Sequence, residues 1–355
     1  MYNIMKIKKA IWLSGSMFLV LFLLLGLAAF HGQSPESPLD VGLASAAEKP
    51  AAEAALQEEV VPAEEPAARE ELLRSLQVQV EISNKGNSTS NNITLRIPML
   101  ADVDSPYQNL LGESFSHKPV TLEELEMRGR IMVVEIPSLA PGSSETIVLD
   151  YTVDANGTSV GDILTEEYLA GYLQASSKVE SEHPEIIATA LGIVEGLDND
   201  RDKVEKIYSF VTGHLEYDKN ELYRNKGALS ALRTGRGVCE EYATLFVALS
   251  RAAGVPARVV NGYTDPRGTG EVWDISPGES FSLNGYRHAW AEFYAEDEGW
   301  LPVDPTMENG ASTFKYFGSL PSEGYIIQNY QDEDLSARFQ GGSLAVTWDE
   351  QLVNN

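Results

Sequence analysis

The chain has one cysteine, Cys239, where a Gly-rich turn, Thr234-Gly235-Arg236-Gly237-Val238, meets an apolar stretch running to Ala253. About fifty residues on stands His288, in Arg287-His288-Ala289-Trp290, and about sixteen beyond it Asp304, in Val303-Asp304-Pro305-Thr306. A thiol, an imidazole and a carboxylate in this order are the parts of a nucleophile, its acid/base partner and the group that orients that partner. A lone cysteine forms no internal disulfide, so its chemistry is that of a free thiol. Only the thiolate attacks, and a free thiol ionises at a pH of about 8.5. Two features favour the anion. Cys239 opens a predicted helix, where unpaired N–H groups and the macrodipole favour negative charge. His288 pairs with it as imidazolium and later protonates a leaving amine, while Asp304 holds the second ring nitrogen. Each residue also has a plainer reading: an inert packed thiol, a satisfied core histidine beside Trp290, an Asp-Pro turn. Pattern alone leaves both readings open, because the three are far apart in sequence.

The elements that must position them are legible. Gly235 and Gly237 suit a turn that needs unusual backbone angles or close approach to substrate, and N–H groups near Cys239 are placed to hold an oxyanion. The helix beginning at Cys239 sets Tyr242, Leu245, Phe246 and Leu249 on one side, and Gly254-Val255-Pro256 ends it. Strands are predicted over 257–261, 288–294 and 300–303, with His288 and Trp290 on one face. Upstream, Ile186, Ile187, Ala190, Leu191 and Val194 recur at helical spacing, as do Val204, Ile207, Tyr208 and Val211, with Asp200 or Asp202 as a cap. The loop over 264–286 is long for a compact domain and is expected to form a substrate-facing flap.

Before this region, 76–82, 93–97, 131–136 and 146–153 alternate with period two between Asn-, Gly- and Pro-rich turns. This predicts a β-sandwich-like domain over 73–157, acting as a spacer or docking module. Residues 32–72 are rich in Ala, Glu and Pro and read as an unstructured linker. Lys6, Lys8 and Lys9 precede an uncharged apolar run over 11–30. That is long enough to span a bilayer with the N-terminus inside, so 1–31 is expected to be a signal anchor and the body extracytoplasmic; a cleaved signal peptide, giving a secreted body, is the rival. The net charge of −27 argues against nucleic acid and against docking on anionic lipid by charge. With 43% hydrophobic residues the chain can build a sizeable core.

Gly235-Arg236-Gly237-Val238-Cys239-Glu240-Glu241-Tyr242-Ala243 with Ala252-Ala253-Gly254-Val255-Pro256-Ala257-Arg258, then Arg287-His288-Ala289-Trp290-Ala291-Glu292, then Gly299-Trp300-Leu301-Pro302-Val303-Asp304-Pro305-Thr306, resemble the nucleophile, histidine and aspartate segments of the transglutaminase-like superfamily. The resemblance implies an α+β, papain-like catalytic domain over 163–320, a Cys-bearing helix on an antiparallel sheet. A C-terminal extension over 321–355 follows, with a terminal strand at 343–348. It further implies Cys239 as nucleophile, His288 as general acid/base and Asp304 as its orienter, without cofactor or metal. Substrates would be protein or cell-wall peptide amides, attacked through a thioester. Hydrolysis by water and crosslinking by an amine both stay open, as does the oligomeric state. The departures are Glu240, where the calcium-activated animal enzymes have an aromatic residue, and the lack of an EF-hand calcium loop. Tyr217 is a candidate oxyanion donor or a packing residue; Arg236 and Glu292 either shape the cleft or are solvated charges. The competing class is a surface binding or assembly module that keeps the fold without turnover.

Overall fold

The computed structural model describes residues 3–7, 72–101, 108–125, 129–155, 164–265, 273–308, 315–321, 324–330 and 335–354. The first strands are β1 (Asn3–Ile7), β2 (Leu73–Asn84), β3 (Ser90–Pro98), β4 (Asn109–Phe115), β5 (Thr121–Glu124), β6 (Arg130–Leu139) and β7 (Ser144–Asp154). Side chains alternate between the two faces of a strand. The apolar sets Leu76, Val78, Val80, Ile82 on β2 and Ile147, Leu149, Tyr151, Val153 on β7 are therefore all buried on one side.

The second part begins with helices α1 (Glu166–Ala170), α2 (Pro184–Ile193) and α3 (Asp200–His214). Then come β8 (Glu216–Tyr217), α4 (Ala228–Thr234), β9 (Arg236–Gly237), α5 (Cys239–Ala252), β10 (Ala257–Thr264), β11 (Ser280–Ser282), β12 (Arg287–Ala295) and β13 (Gly299–Val303). The chain closes with β14 (Tyr325–Asn329), β15 (Leu335–Gln340) and β16 (Leu344–Val353). The cap of α3 is Asn199, whose side chain accepts from Asp202 N–H at 3.1 Å. The expected caps Asp200 and Asp202 lie one and three positions later, in the first turn, where their charges suit the helix dipole.

A four-stranded antiparallel sheet, in the order β13-β12-β10-β14, carries the α+β core. Helix α5 lies against it and is buried almost all round: Tyr242, Leu245, Phe246 and Leu249 join Ile186 of α2, Ile207 and Val211 of α3, and Ala291 and Phe293 of β12 in one cluster. A helix buried on nearly every side is the mark of a central core helix, and its polar residues Glu241, Thr244, Ser250 and Arg251 are buried with it. Gly254, at φ 85°, ends the turn that follows it.

Two five-stranded sheets, β1-β15-β3-β6-β5 and β11-β16-β2-β7-β4, pool their apolar faces in a second cluster. That cluster also takes in Tyr263 of β10 and Ile326 of β14, so the core is continuous with the four-stranded sheet. The tail expected as an extension over 321–355 is divided among three sheets. β14 adds to β10, β15 lies between β1 and β3, and β16 pairs with β2 along ten residues, Leu344 opposite Asn84 to Val353 opposite Ser75. The loop expected as a flap over 264–286 is likewise tied down in its described part. Trp273 and Leu283 are buried in the second cluster, and β11 pairs with β16. Both differences come from pairing between distant segments, which local alternation does not encode.

The expected linker over 32–72 lies outside the described residues except for Leu72, and the expected anchor over 1–31 except for β1, which pairs with β15. Among the described residues no helix is long and apolar enough to cross a membrane.

Candidate active site

The nucleophile position is built by the turn before α5. Gly235 takes a left-handed φ of 64° and closes α4, its N–H donating to Ala231 O at 2.9 Å. Gly237 serves close approach: a Cβ there would lie 2.3 Å from Glu241 Cβ. The contact matters because Glu241, 1% exposed, organises the helix start. Its Oε2 accepts from Val238 N–H at 3.1 Å and its Oε1 from Lys226 N–H at 2.9 Å. The first of these is the return half of a capping box, here without a polar N-cap side chain. Burial pushes the Glu241 carboxyl up, opposed by these backbone donors.

Cys239 therefore begins a fourteen-residue helix as its first residue and is 9% exposed. His288, on β12, lies close enough to the cysteine side chain for the two to interact electrostatically. On its far side Nε2–H donates to Asp304 Oδ2 at 2.7 Å, which leaves Nδ1 for the sulfur. Asp304 follows β13 and is fully buried. Its Oδ1 accepts from Thr306 N–H at 3.1 Å and Met307 N–H at 3.2 Å, and its Oδ2 also accepts from the Tyr325 hydroxyl at 2.8 Å. The His288 side chain is 8% exposed. Burial pushes the imidazole down, but the charge and hydrogen bond of Asp304, then Cys239, raise it to about 10. It is thus held as imidazolium through neutral pH. Trp290, on the same face of β12 and fully buried, stacks against the ring at 6.1 Å and 21°. All three residues singled out in the sequence are brought together.

Tyr217 is brought there too. β8 runs parallel to β9 with Tyr217 opposite Gly237, and Asp218 N–H donates to Gly237 O at 2.8 Å. Tyr217 is 41% exposed; partial desolvation, then the charge of Cys239, pushes its phenol up to about 12, so it keeps its proton at neutral pH. Arg236 is exposed and pairs with Glu216 at 3.1 Å and Asp218 at 3.2 Å.

Glu292 is neither solvated nor in the cleft. It is fully buried and ion-paired at 2.6 Å with Arg258, its direct cross-strand partner. The guanidinium lies between the rings of Tyr330, at 3.8 Å, and Trp300, at 4.1 Å. Sequence reasoning also misses Tyr325 and the Arg287–Glu350 pair on the side of β12 away from His288. The adjacency of Arg287 to His288 is the only signal the sequence offers for that pair. Among the described residues no cluster of His, Cys, Asp and Glu is arranged to hold a metal ion.

A cysteine at a helix start, an imidazolium on its sulfur and a carboxylate behind the ring can form and resolve an acyl-enzyme. Residues 187–305, which contain all three, match the family model described as the transglutaminase-like superfamily. The chain carries a transglutaminase-like domain. Its papain-like α+β core is the α5 helix on the four-stranded sheet. Over 77 residues the chain is 38% identical to a protein-glutamine gamma-glutamyltransferase of Pseudomonas aeruginosa, a stretch covering 21% of this chain and 10% of that protein. It is 33% identical over 135 residues to the kyphoscoliosis peptidase of Mus musculus, covering 36% of this chain and 19% of that protein. The chain thus matches only a small part of the length of these curated relatives. A crystal structure of a Cytophaga hutchinsonii protein assigned as a cysteine protease is similar at a TM-score of 0.49 and 19% identity, over 80% of this chain and 92% of that one.

Proposed function

We propose that the chain is a cysteine acyl-transfer enzyme acting on protein or peptide amides, with Cys239 as nucleophile, His288 as general acid/base and Asp304 as its orienter. The observation that carries this reading is the connected line from the helix-start sulfur through His288 to the fully hydrogen-bonded Asp304. The thiolate adds to the amide carbonyl, and the C–N bond breaks as His288 gives its proton to the departing ammonia or amine. The thioester left on Cys239 is then opened by water or by an acceptor amine, with His288 taking the proton back. The Tyr217 hydroxyl and the Cys239 N–H are the proposed oxyanion donors.

The relatives point in both directions, one a glutamyltransferase and one a peptidase by name. Mass spectrometry of peptide and protein amides incubated with the wild type and with Cys239→Ala separates the outcomes. A gain of about one dalton is deamidation, joined peptides are crosslinking, and fragments are proteolysis. If the wild type does none of these and its thiol alkylates like free cysteine, a binding or assembly module without turnover is the correct reading.

The two five-stranded sheets are proposed to form a sandwich-like module that supports this site. The apolar run over 11–30 supports an anchored, extracytoplasmic body, with cell-wall peptides among the accessible substrates. Such a span and the β1–β15 pairing exclude each other, since residues 3–7 would lie across the bilayer from the body. Alkaline extraction of membranes decides between them: an anchored chain stays in the pellet.

A further inference from the structure

Asp304 has a partner from outside the family-matched stretch. Tyr325, 1% exposed, donates to Oδ2 at 2.8 Å, the same oxygen that takes the His288 proton at 2.7 Å. Its strand, β14, is an outer strand of the four-stranded sheet, whose edge groups need partners when buried. They find them in the preceding β-sheet module. The Gln108 side chain accepts from Ile327 N–H at 2.8 Å and donates to Ile327 O at 2.9 Å, as a neighbouring strand would. Ala101 N–H donates to Gln328 O at 2.8 Å. Gln108 is itself fully buried.

We infer that Tyr325 is a positioning residue of the triad, sharing Asp304 Oδ2 with His288, and that Gln108 and Ala101 of the β-sheet module hold its strand in register for that task. The inference deepens the acyl-transfer reading and rests on it. A hydroxyl hydrogen bond disperses part of the carboxylate charge. Asp304 then orients the imidazolium through Nε2–H without raising the basicity of the ring so far that Nδ1 fails to release its proton to the leaving amine. Burial, then the Asp304 charge, pushes the Tyr325 phenol well above its usual range, so the donor persists at every working pH.

The other titratable groups around the ring and carboxylate are fixed. Cys239 of α5 meets the imidazole. Tyr208 of α3 donates to Asp304 O at 3.1 Å and Glu308 at 2.9 Å. Tyr316 accepts Asp304 N–H at its carbonyl at 2.9 Å. Tyr217 of β8 pairs opposite Gly237 in the turn before Cys239, and Arg287 pairs with Glu350 on the opposite side of β12.

The test is Tyr325→Phe in the full chain, which removes one oxygen and keeps the ring against Trp290. The His288 imidazole is titrated by NMR, beside turnover and thermal unfolding. The expected result is an upward move of the His288 titration by about half a unit to one unit. Turnover on an amide at neutral pH falls about tenfold with KM little changed. Gln108→Ala, distant from the ring, moves the titration the same way by less. An unmoved or lowered titration in Tyr325→Phe, whatever happens to the melting temperature, makes Tyr325 a packing residue and overturns the inference. Alkylation of wild-type Cys239 as an ordinary thiol, indifferent to His288→Ala, would instead sink the acyl-transfer reading while leaving the titration to decide on Tyr325.

Discussion

His288 Nε2 lies 2.7 Å from Asp304 Oδ2, and the carboxylate on which the histidine depends is fixed from both sides. Two backbone N–H groups hold Oδ1 and a tyrosine hydroxyl shares Oδ2, so the plane of the imidazole is set before any substrate arrives. Asp304→Asn preserves the shape and removes the charge. Turnover is expected to fall on the order of 100-fold to 10,000-fold, as when the orienting carboxylate of such a triad is neutralised. The His288 titration should drop towards its usual range. Steady-state kinetics with an NMR titration checks both, and an unchanged titration would refute the role given to Asp304.

Stability should decline on the alkaline side. His288 is raised in the folded chain from 6.5 to about 10, so its contribution is fully present below 6.5 and is lost as pH rises through about 10. Replacing His288 with Gln removes this component. Urea midpoints across pH 6 to 10 should therefore fall less steeply in His288→Gln than in the wild type.

The Arg258–Glu292 pair is buried without access to water. Removing one partner strands a charge: Glu292→Gln or Arg258→Met is expected to cost about 3–5 kcal/mol in denaturant unfolding. Replacing both by apolar residues of similar volume should cost much less than the sum. Additive losses in the double-mutant cycle would contradict the pairing.

Gly235 and Gly237 should fail for different reasons. At Gly235 the backbone angle is the obstacle, and Ala is expected to cost about 1–2 kcal/mol while leaving Cys239 reactivity near normal. At Gly237 the Cβ collides with Glu241, and overpacking costs about 1–3 kcal/mol. Because Glu241 organises the start of α5, Gly237→Ala should also slow alkylation of Cys239. Equal alkylation rates in the two variants would break this distinction.

Much of the site is legible in the order of residues along the chain. Cys239, His288 and Asp304 are marked by that order and by their places at the starts and ends of elements. Those places come from local signals: the Gly turn before α5, the Gly254-Val255-Pro256 stop, the alternation of β12. The cap of α3 falls to Asn199 rather than Asp200 because a single position separates neighbouring polar candidates. Glu292 reads as a solvated or cleft charge because a charge on a strand is ordinarily exposed, and only the cross-strand register shows Arg258 opposite it.

The sequence by itself determined which residues could carry the chemistry, since helix starts, turns and alternating strands depend on neighbours a few positions apart. Tertiary structure alone decided what surrounds them. Tyr325 reaches Asp304 because β14 joins the edge of the sheet, and Gln108 reaches Ile327 across more than two hundred residues of chain. β16 completes a sheet begun at Leu73 by pairing with β2. Such contacts are chosen by which distant faces bury one another, and no local pattern records that choice.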